Sequence, residues 1–285
     1  MSWSHKFRFF SALSTAAATL LAAPTPHARA DSVYEGWAYA PGPHNDLAPA
    51  GGLGWETGSG YPGAIAVAPA SLTHPSALPS TGNALTNSND APFIFQSRPL
   101  ATPLDPANTT WLSFLARRDA ADASYLVGVN ASPGFGVWSL NFGIENNLDG
   151  RPAYRARWER STFFVTGETV FADAPTTPVG STDFFLVRLN PADIDAGTRS
   201  VDVWINPDVC ALGAPSIHLD TPAATVPWQT GLWSQSASTS DEFRIGDSLA
   251  AVANVPAPAC AVAFLLGSIT ATRRRRASSR PSLRA

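Results

Sequence analysis

Lysine is almost absent from this chain of 285 residues: Lys6 is the only one. Cysteine is nearly as scarce, with Cys210 and Cys260 alone, far apart. A body holding one cysteine forms no internal disulfide, and Cys210 is expected to be a small buried apolar residue rather than a nucleophile. Beyond the first thirty residues the histidines are His44, His74 and His218. None has a partner at metal-ligand spacing, which argues against a zinc enzyme. There is no Gly-x-Ser-x-Gly elbow and no glycine loop of the kind that cradles phosphate, so neither chemistry is indicated. Segments with helical periodicity are missing, as are internal repeats.

What is present begins at the two ends. Residues 1–30 read as a secretory signal: Lys6 and Arg8 are basic, Ser11 to Ala23 is small and apolar, and Ala28-Arg29-Ala30 offers a small-x-small cleavage site. Residues 253–285 form a second address. Pro256-Ala257-Pro258 is followed by the uncharged run Ala259 to Thr272 and then by Arg273, Arg274, Arg275 and Arg276. That run falls short of the ~20 residues that span a bilayer as a helix, but its basic end would hold it at the inner membrane transiently. Between these ends lies a strongly acidic body. It carries ten arginines against 22 acidic residues, a net charge of −12. Such a body does not suit nucleic acid, which demands clustered cations. It suits calcium, whose ligands are hard carboxylates; no other cofactor is expected.

The tail resembles the PEP-CTERM sorting signal of bacterial exoproteins. Pro256 and Pro258 match its two prolines, and Arg273 to Arg276 its basic end; Ala257 stands where the pattern has glutamate. The resemblance covers about the last tenth of the chain and implies an exosortase-type processing enzyme as partner. It also implies delivery to the cell surface or extracellular matrix.

The body, residues 31–252, is long enough for one core without staples. Its first part, Tyr34 to Pro106, holds eleven of the 25 prolines, which limits dense central strands. Strands are predicted near Val33 to Tyr39, Gly63 to Ala68 and Phe93 to Ser97. From Thr109 the alternation sharpens: Thr110 to Arg117, Ser124 to Val129, Val137 to Ile144, Ala153 to Glu159, Phe184 to Leu189, Ser200 to Ile205 and Glu242 to Ile245. In the clearest of these, Tyr154, Ala156 and Trp158 are predicted inward, with Arg155, Arg157 and Glu159 on a wet face. Gly167-Glu168 is predicted to be a hairpin turn. The fold class is therefore all-β, a two-sheet antiparallel jelly-roll sandwich, flanked by an N-terminal signal helix and a short C-terminal hydrophobic helix. The edges Tyr34-Glu35-Gly36-Trp37, Gly51-Gly52-Leu53-Gly54-Trp55 and Asp241-Glu242-Phe243-Arg244-Ile245-Gly246 resemble those of laminin-G-like or concanavalin A-like jelly rolls. That likeness implies fold and says little of function.

No strand carries the closely spaced carboxylates that a retaining glycosidase needs. Asp193 and Asp195 have suitable spacing but fall in a turn. Asp183 and Asp202 would have to meet across a sheet. Aromatics are the positive hint of binding, because exposed rings stack on sugars. Trp55, Tyr61, Trp138, Trp158, Trp204, Trp228 and Trp233 are the candidates, with Trp204 and Trp55 foremost, although large aromatics are mostly buried. The expected function is thus an exported, surface-sorted, non-enzymatic protein that binds extracellular polysaccharide or matrix weakly. The alternative is a polysaccharide hydrolase or lyase on a concanavalin A-like fold. A concave face with two carboxylates within about 10 Å of each other would favour that enzyme, and a concave face with aromatics and no such pair would favour the binder.

Overall fold

Alternation of apolar and polar side chains is what builds this molecule. The computed structural model describes residues 33–44, 65–80, 82–87, 94–130, 139–146, 151–162, 165–193, 195–223 and 228–255. The segment expected to be a signal, with Ala28 and Ala30, lies outside them, as does the expected sorting segment beyond Val255, with Pro256, Ala257, Pro258 and Arg273 to Arg276. Among the described residues, no helix is long and apolar enough to cross a membrane.

Among the described residues, fifteen strands and one short helix follow in chain order. They are β1 Val33–Glu35, β2 Gly42–His44, β3 Ile65–Ala68, β4 Ala84–Asn87, β5 Ile94–Leu104, β6 Thr110–Arg118, β7 Ser124–Asn130 and β8 Ser139–Asn146. Then come β9 Pro152–Thr162, β10 Val165–Ala174, β11 Thr182–Leu189, β12 Thr198–Ile205, β13 Ile217–Pro222, β14 Trp228–Ser236, β15 Ser238–Gly246 and α1 Leu249–Val252. The strands form two antiparallel sheets. The nine-stranded sheet runs β13-β12-β11-β6-β15-β4-β3-β2, with β1 also on β15. The six-stranded sheet runs β10-β9-β8-β7-β14-β5. The body is the all-β antiparallel sandwich that the alternation predicts.

The core lies between the sheets. Leu112, Phe114 and Ala116 of β6 face Tyr125, Val127 and Val129 of β7, Leu140, Phe142 and Ile144 of β8, and Tyr154, Ala156 and Trp158 of β9. Phe114 and Phe185 stack with centroids 4.6 Å apart, while Tyr125 and Tyr154 meet Phe185 edge-on at 5.7 and 5.4 Å. Full burial of each such side chain contributes about 1.5–3 kcal/mol. A second apolar cluster covers the far side of the nine-stranded sheet. Leu115, Phe184, Leu186 and Trp204 pack there against Leu72, Val209 and Val252. Ser113 Oγ donates to the Val252 carbonyl at 2.6 Å, fixing α1 to β6.

Several local expectations are corrected. Gly167 and Glu168 do not form the hairpin turn; they sit inside β10, where the pairing with β9 slips between Thr166 and Glu168. A glycine in a strand pattern marked a bulge here. The strand expected at Val33 to Tyr39 ends at Glu35, since Trp37 takes a positive φ of 50°. β5 is longer than expected and accommodates Pro99 and Pro103 because it is the edge of its sheet. β13 and β14 were not anticipated. Cys210 is half-buried rather than fully buried.

Candidate functional site

The register of β8, β9 and β10 gathers charge on the outer face of the six-stranded sheet. Tyr154, Ala156 and Trp158 point into the core, so Arg155, Arg157 and Glu159 point out. In the same register Arg157 lies opposite Asn141 of β8 and Phe171 of β10, and Arg155 lies opposite Gly143 and Asp173. Gly143 and Gly128 supply a floor without side chains. A Cβ on Gly143 would lie 2.0 Å from the Tyr125 carbonyl oxygen, and one on Gly128 2.0 Å from that of Leu140. At both positions the close approach of the neighbouring strand leaves no space for a side chain.

Each arginine is held firmly. Arg155 grips Asp173 with two bonds, Nε to Oδ1 at 2.7 Å and Nη2 to Oδ2 at 2.9 Å. Its guanidinium lies over the Phe171 ring, 4.3 Å from the centroid. Arg157 Nη1 donates to Glu145 Oε1 at 2.8 Å, and its Nε lies 3.4 Å from Glu159 Oε2. One guanidinium thus bridges two carboxylates, which places them within the roughly 10 Å that acid and base partners in glycoside hydrolysis require. Glu145 also lies 3.6 Å from Arg155 Nη1. This face is not the wet surface expected: Arg155 is only 8% exposed, and Asn141 and Asn130 are buried.

Burial gives the two ends of this network different characters. Burial pushes the Glu145 carboxyl above its usual range, partly opposed by the positive charges of Arg157 and Arg155. The bonds to Asp173 raise Arg155, securing its charge. A carboxyl raised by burial beside a second carboxylate is a pairing that can deliver and remove protons at a bond between sugars.

Residues singled out from sequence are scattered elsewhere. Trp204 does face away from Val203, but it is 5% exposed, its Nε1 donates to the Gly213 carbonyl at 2.9 Å, and it stacks on Trp111. It presents no open ring to a sugar. Trp158 and Trp228 are core residues, and Trp55, Tyr61 and Trp138 lie outside the described residues. Asp183 and Asp202 do not meet. Asp183 is buried beside Tyr154, whereas Asp202 sits on the far side of the nine-stranded sheet with Arg188, Asn190 and His218. His218 Nδ1 lies 2.6 Å from Asp202 Oδ1, and that bond raises the imidazole above its usual value. Asp193 occupies a turn, where its Oδ1 accepts from Ala196 N. Among the described residues no three acidic, histidine or cysteine side chains gather to hold a metal.

No protein-family model matches the chain, and no curated protein does. Solved structures of similar course exist. An endo-β-1,4-glucuronan lyase from the fungus Trichoderma reesei shares 11% identity, with 78% of this chain and 97% of that one covered and a TM-score of 0.45. The alginate lyase Aly36B shares 11% identity over 76% of this chain and 96% of its own, with a TM-score of 0.40. A glycosyl hydrolase family protein from Mycobacterium fortuitum shares 10% identity over 75% and 98%, again with a TM-score of 0.40. The expectation of a non-enzymatic binder is corrected. It rested on the want of paired carboxylates, and Glu145 and Glu159 supply that pair from two strands.

Proposed function

We propose that the body cleaves glycosidic bonds of a polysaccharide on the outer face of the six-stranded sheet. Glu145 is the proton donor and Glu159 the carboxylate that assists attack at the sugar. The observation that carries this reading is Arg157, which binds both carboxylates at once. Burial supports the division of roles, since it favours the protonated form of Glu145. Export and surface sorting, drawn from the two terminal segments, would put the enzyme where extracellular polysaccharide is found. Mass spectrometry of the surface fraction should then recover chains beginning near Asp31 and lacking Arg273 to Arg276.

The catalytic test uses the whole chain with a panel of neutral and acidic polysaccharides, measuring new reducing ends. Glu145→Gln and Glu159→Gln should each lower kcat by about 10²–10⁴-fold while the melting temperature stays within a few degrees. Absence of turnover on every substrate, or undiminished turnover in Glu145→Gln, would sink the reading. Products with a double bond in the terminal sugar would replace hydrolysis by elimination.

A further inference from the structure

A second polar feature lies inside the sandwich and has no part in the site above. Arg199 stands in the alternation of β12 that sends Val201 and Val203 into the core. It is 2% exposed, and its Nε, Nη1 and Nη2 all lack a hydrogen-bond partner. Its neighbour in register is Thr221 of β13, whose hydroxyl donates to the Arg199 carbonyl and not to its side chain. Asp105 acts on the guanidinium only through its charge. The Asp105 oxygens are spent within their own turn, accepting from Ala107 N at 2.9 Å and Asn108 Nδ2 at 3.2 Å.

A second unpaired donor occupies the same end of the sandwich. Trp228 opens β14 opposite Leu104, the residue before Asp105. It is 1% exposed, and its Nε1 also lacks an acceptor. Ala223, which follows β13, donates to the Gly197 carbonyl just before β12, so Arg199 belongs to this end as well.

The chemistry of this end is one-sided. Guanidinium and indole nitrogens only donate. A buried cation with no hydrogen-bonded counter-charge is among the most costly features a core can hold. Burial lowers the guanidinium to about 10, which leaves it charged at neutral pH. What complements a planar fork of donors is a planar acceptor with two oxygens, bound through parallel N–H···O bonds. Burial of Arg199 admits only a small one.

We propose that Arg199 is an anion site that takes a small planar oxyanion of the carboxylate class, of the size of formate or bicarbonate. The bound anion neutralises the guanidinium and closes this end of the core. It acts as a structural ligand, coupling the stability of the sandwich to the anions around it.

The test uses the whole chain and sodium formate, replaced stepwise for sodium chloride at fixed ionic strength. Formate at ten times its Kd should raise Tm by about 3–6 °C and then saturate. Arg199→Met, which removes the charge and keeps much of the volume, should abolish the formate response. It should also melt no lower than the parent in chloride, because replacing an unpaired buried charge with an apolar group is neutral or stabilising. A parent Tm indifferent to formate, or an equal response in Arg199→Met, would overturn the site. If that variant fails to fold, the Arg Nε–H resonances of the parent decide. One buried resonance must shift saturably with formate and less with chloride; none shifting, or chloride acting equally, refutes the proposal.

Discussion

The phenol of Tyr154 on β9 donates to Asp183 Oδ2 on β11 at 2.5 Å, a hydrogen bond that links the two sheets across the core. Thr177 closes the link: its amide donates to the Tyr154 oxygen at 2.9 Å, and its hydroxyl reaches both Asp183 oxygens. Asn206, at a positive φ of 54°, adds a bond from Nδ2 to Asp183 Oδ1. Burial, with help from Asp183, holds the Tyr154 hydroxyl well above its usual range, so the donor persists at any physiological pH. Tyr154→Phe should lower stability by about 1.5–3 kcal/mol, the worth of a hydrogen bond to a charged group. Equilibrium denaturation with urea measures this. In a cycle with Asp183→Asn the two losses should not add, and strict additivity would deny the tie.

The register of β9 makes a second prediction. Ala156 is fully buried between the sheets, with Trp158 and Tyr154 on the same side. Ala156→Asp puts an unpaired carboxylate there and should cost at least about 3 kcal/mol. A thermal melt matching that of the parent would mean that β9 presents the other face.

Why that register was legible, and the site was not, has a physical basis. Alternation shows in sequence whenever one face is apolar, as in Tyr154, Ala156 and Trp158. The charges on the opposite face, Arg155, Arg157 and Glu159, were equally visible, but their partners were not. Glu145 comes from β8 and Asp173 from β10, and only the strand pairing brings them to the arginines. Opposite charges alternating along one strand were a usable sign of an ion-paired face, and the reading as wet surface passed over it. Trp204 misled for a related reason. Alternation placed it correctly on the far side of its sheet, yet that side is covered by residues near Leu72 and Val252, distant in the chain. β13 was missed although Ile217, Leu219 and Thr221 alternate inward, because His218, Asp220 and Pro222 make it look like a loop.

Activity should carry the signature of Glu145. A proton donor must be protonated, so turnover should fall as pH rises through its raised pKa, and the alkaline limb belongs to this group. Arg157 lowers that pKa through its charge. Arg157→Met should therefore move the alkaline limb of kcat/KM to higher pH, with a lower maximum because Glu159 loses its tether. A limb that stays in place, with the maximum reduced, would assign the proton donor to another residue.

The last prediction concerns Asp241, which governs the loop over the far side of the nine-stranded sheet. Its Oδ2 accepts from Leu72 N at 2.8 Å and its Oδ1 from Glu242 N at 2.8 Å, with no exposure to solvent. Burial, and after it the charge of Glu242, pushes the carboxyl up to about 8, against the pull of those two amide bonds. An aspartate in the unfolded chain titrates near 4, roughly. Between these values the folded protein holds a proton that the unfolded chain has released. Stability from this group is therefore complete below about pH 4 and declines as pH rises toward 8. The urea midpoint of the parent should fall steadily from pH 5 to pH 8. Asp241→Asn cannot ionise, so its midpoint should start lower, having lost an acceptor for one amide, and change less over the same range. Equal slopes for parent and variant would show that Asp241 is already charged in the fold and that Leu72 is held by a carboxylate at all these pH values.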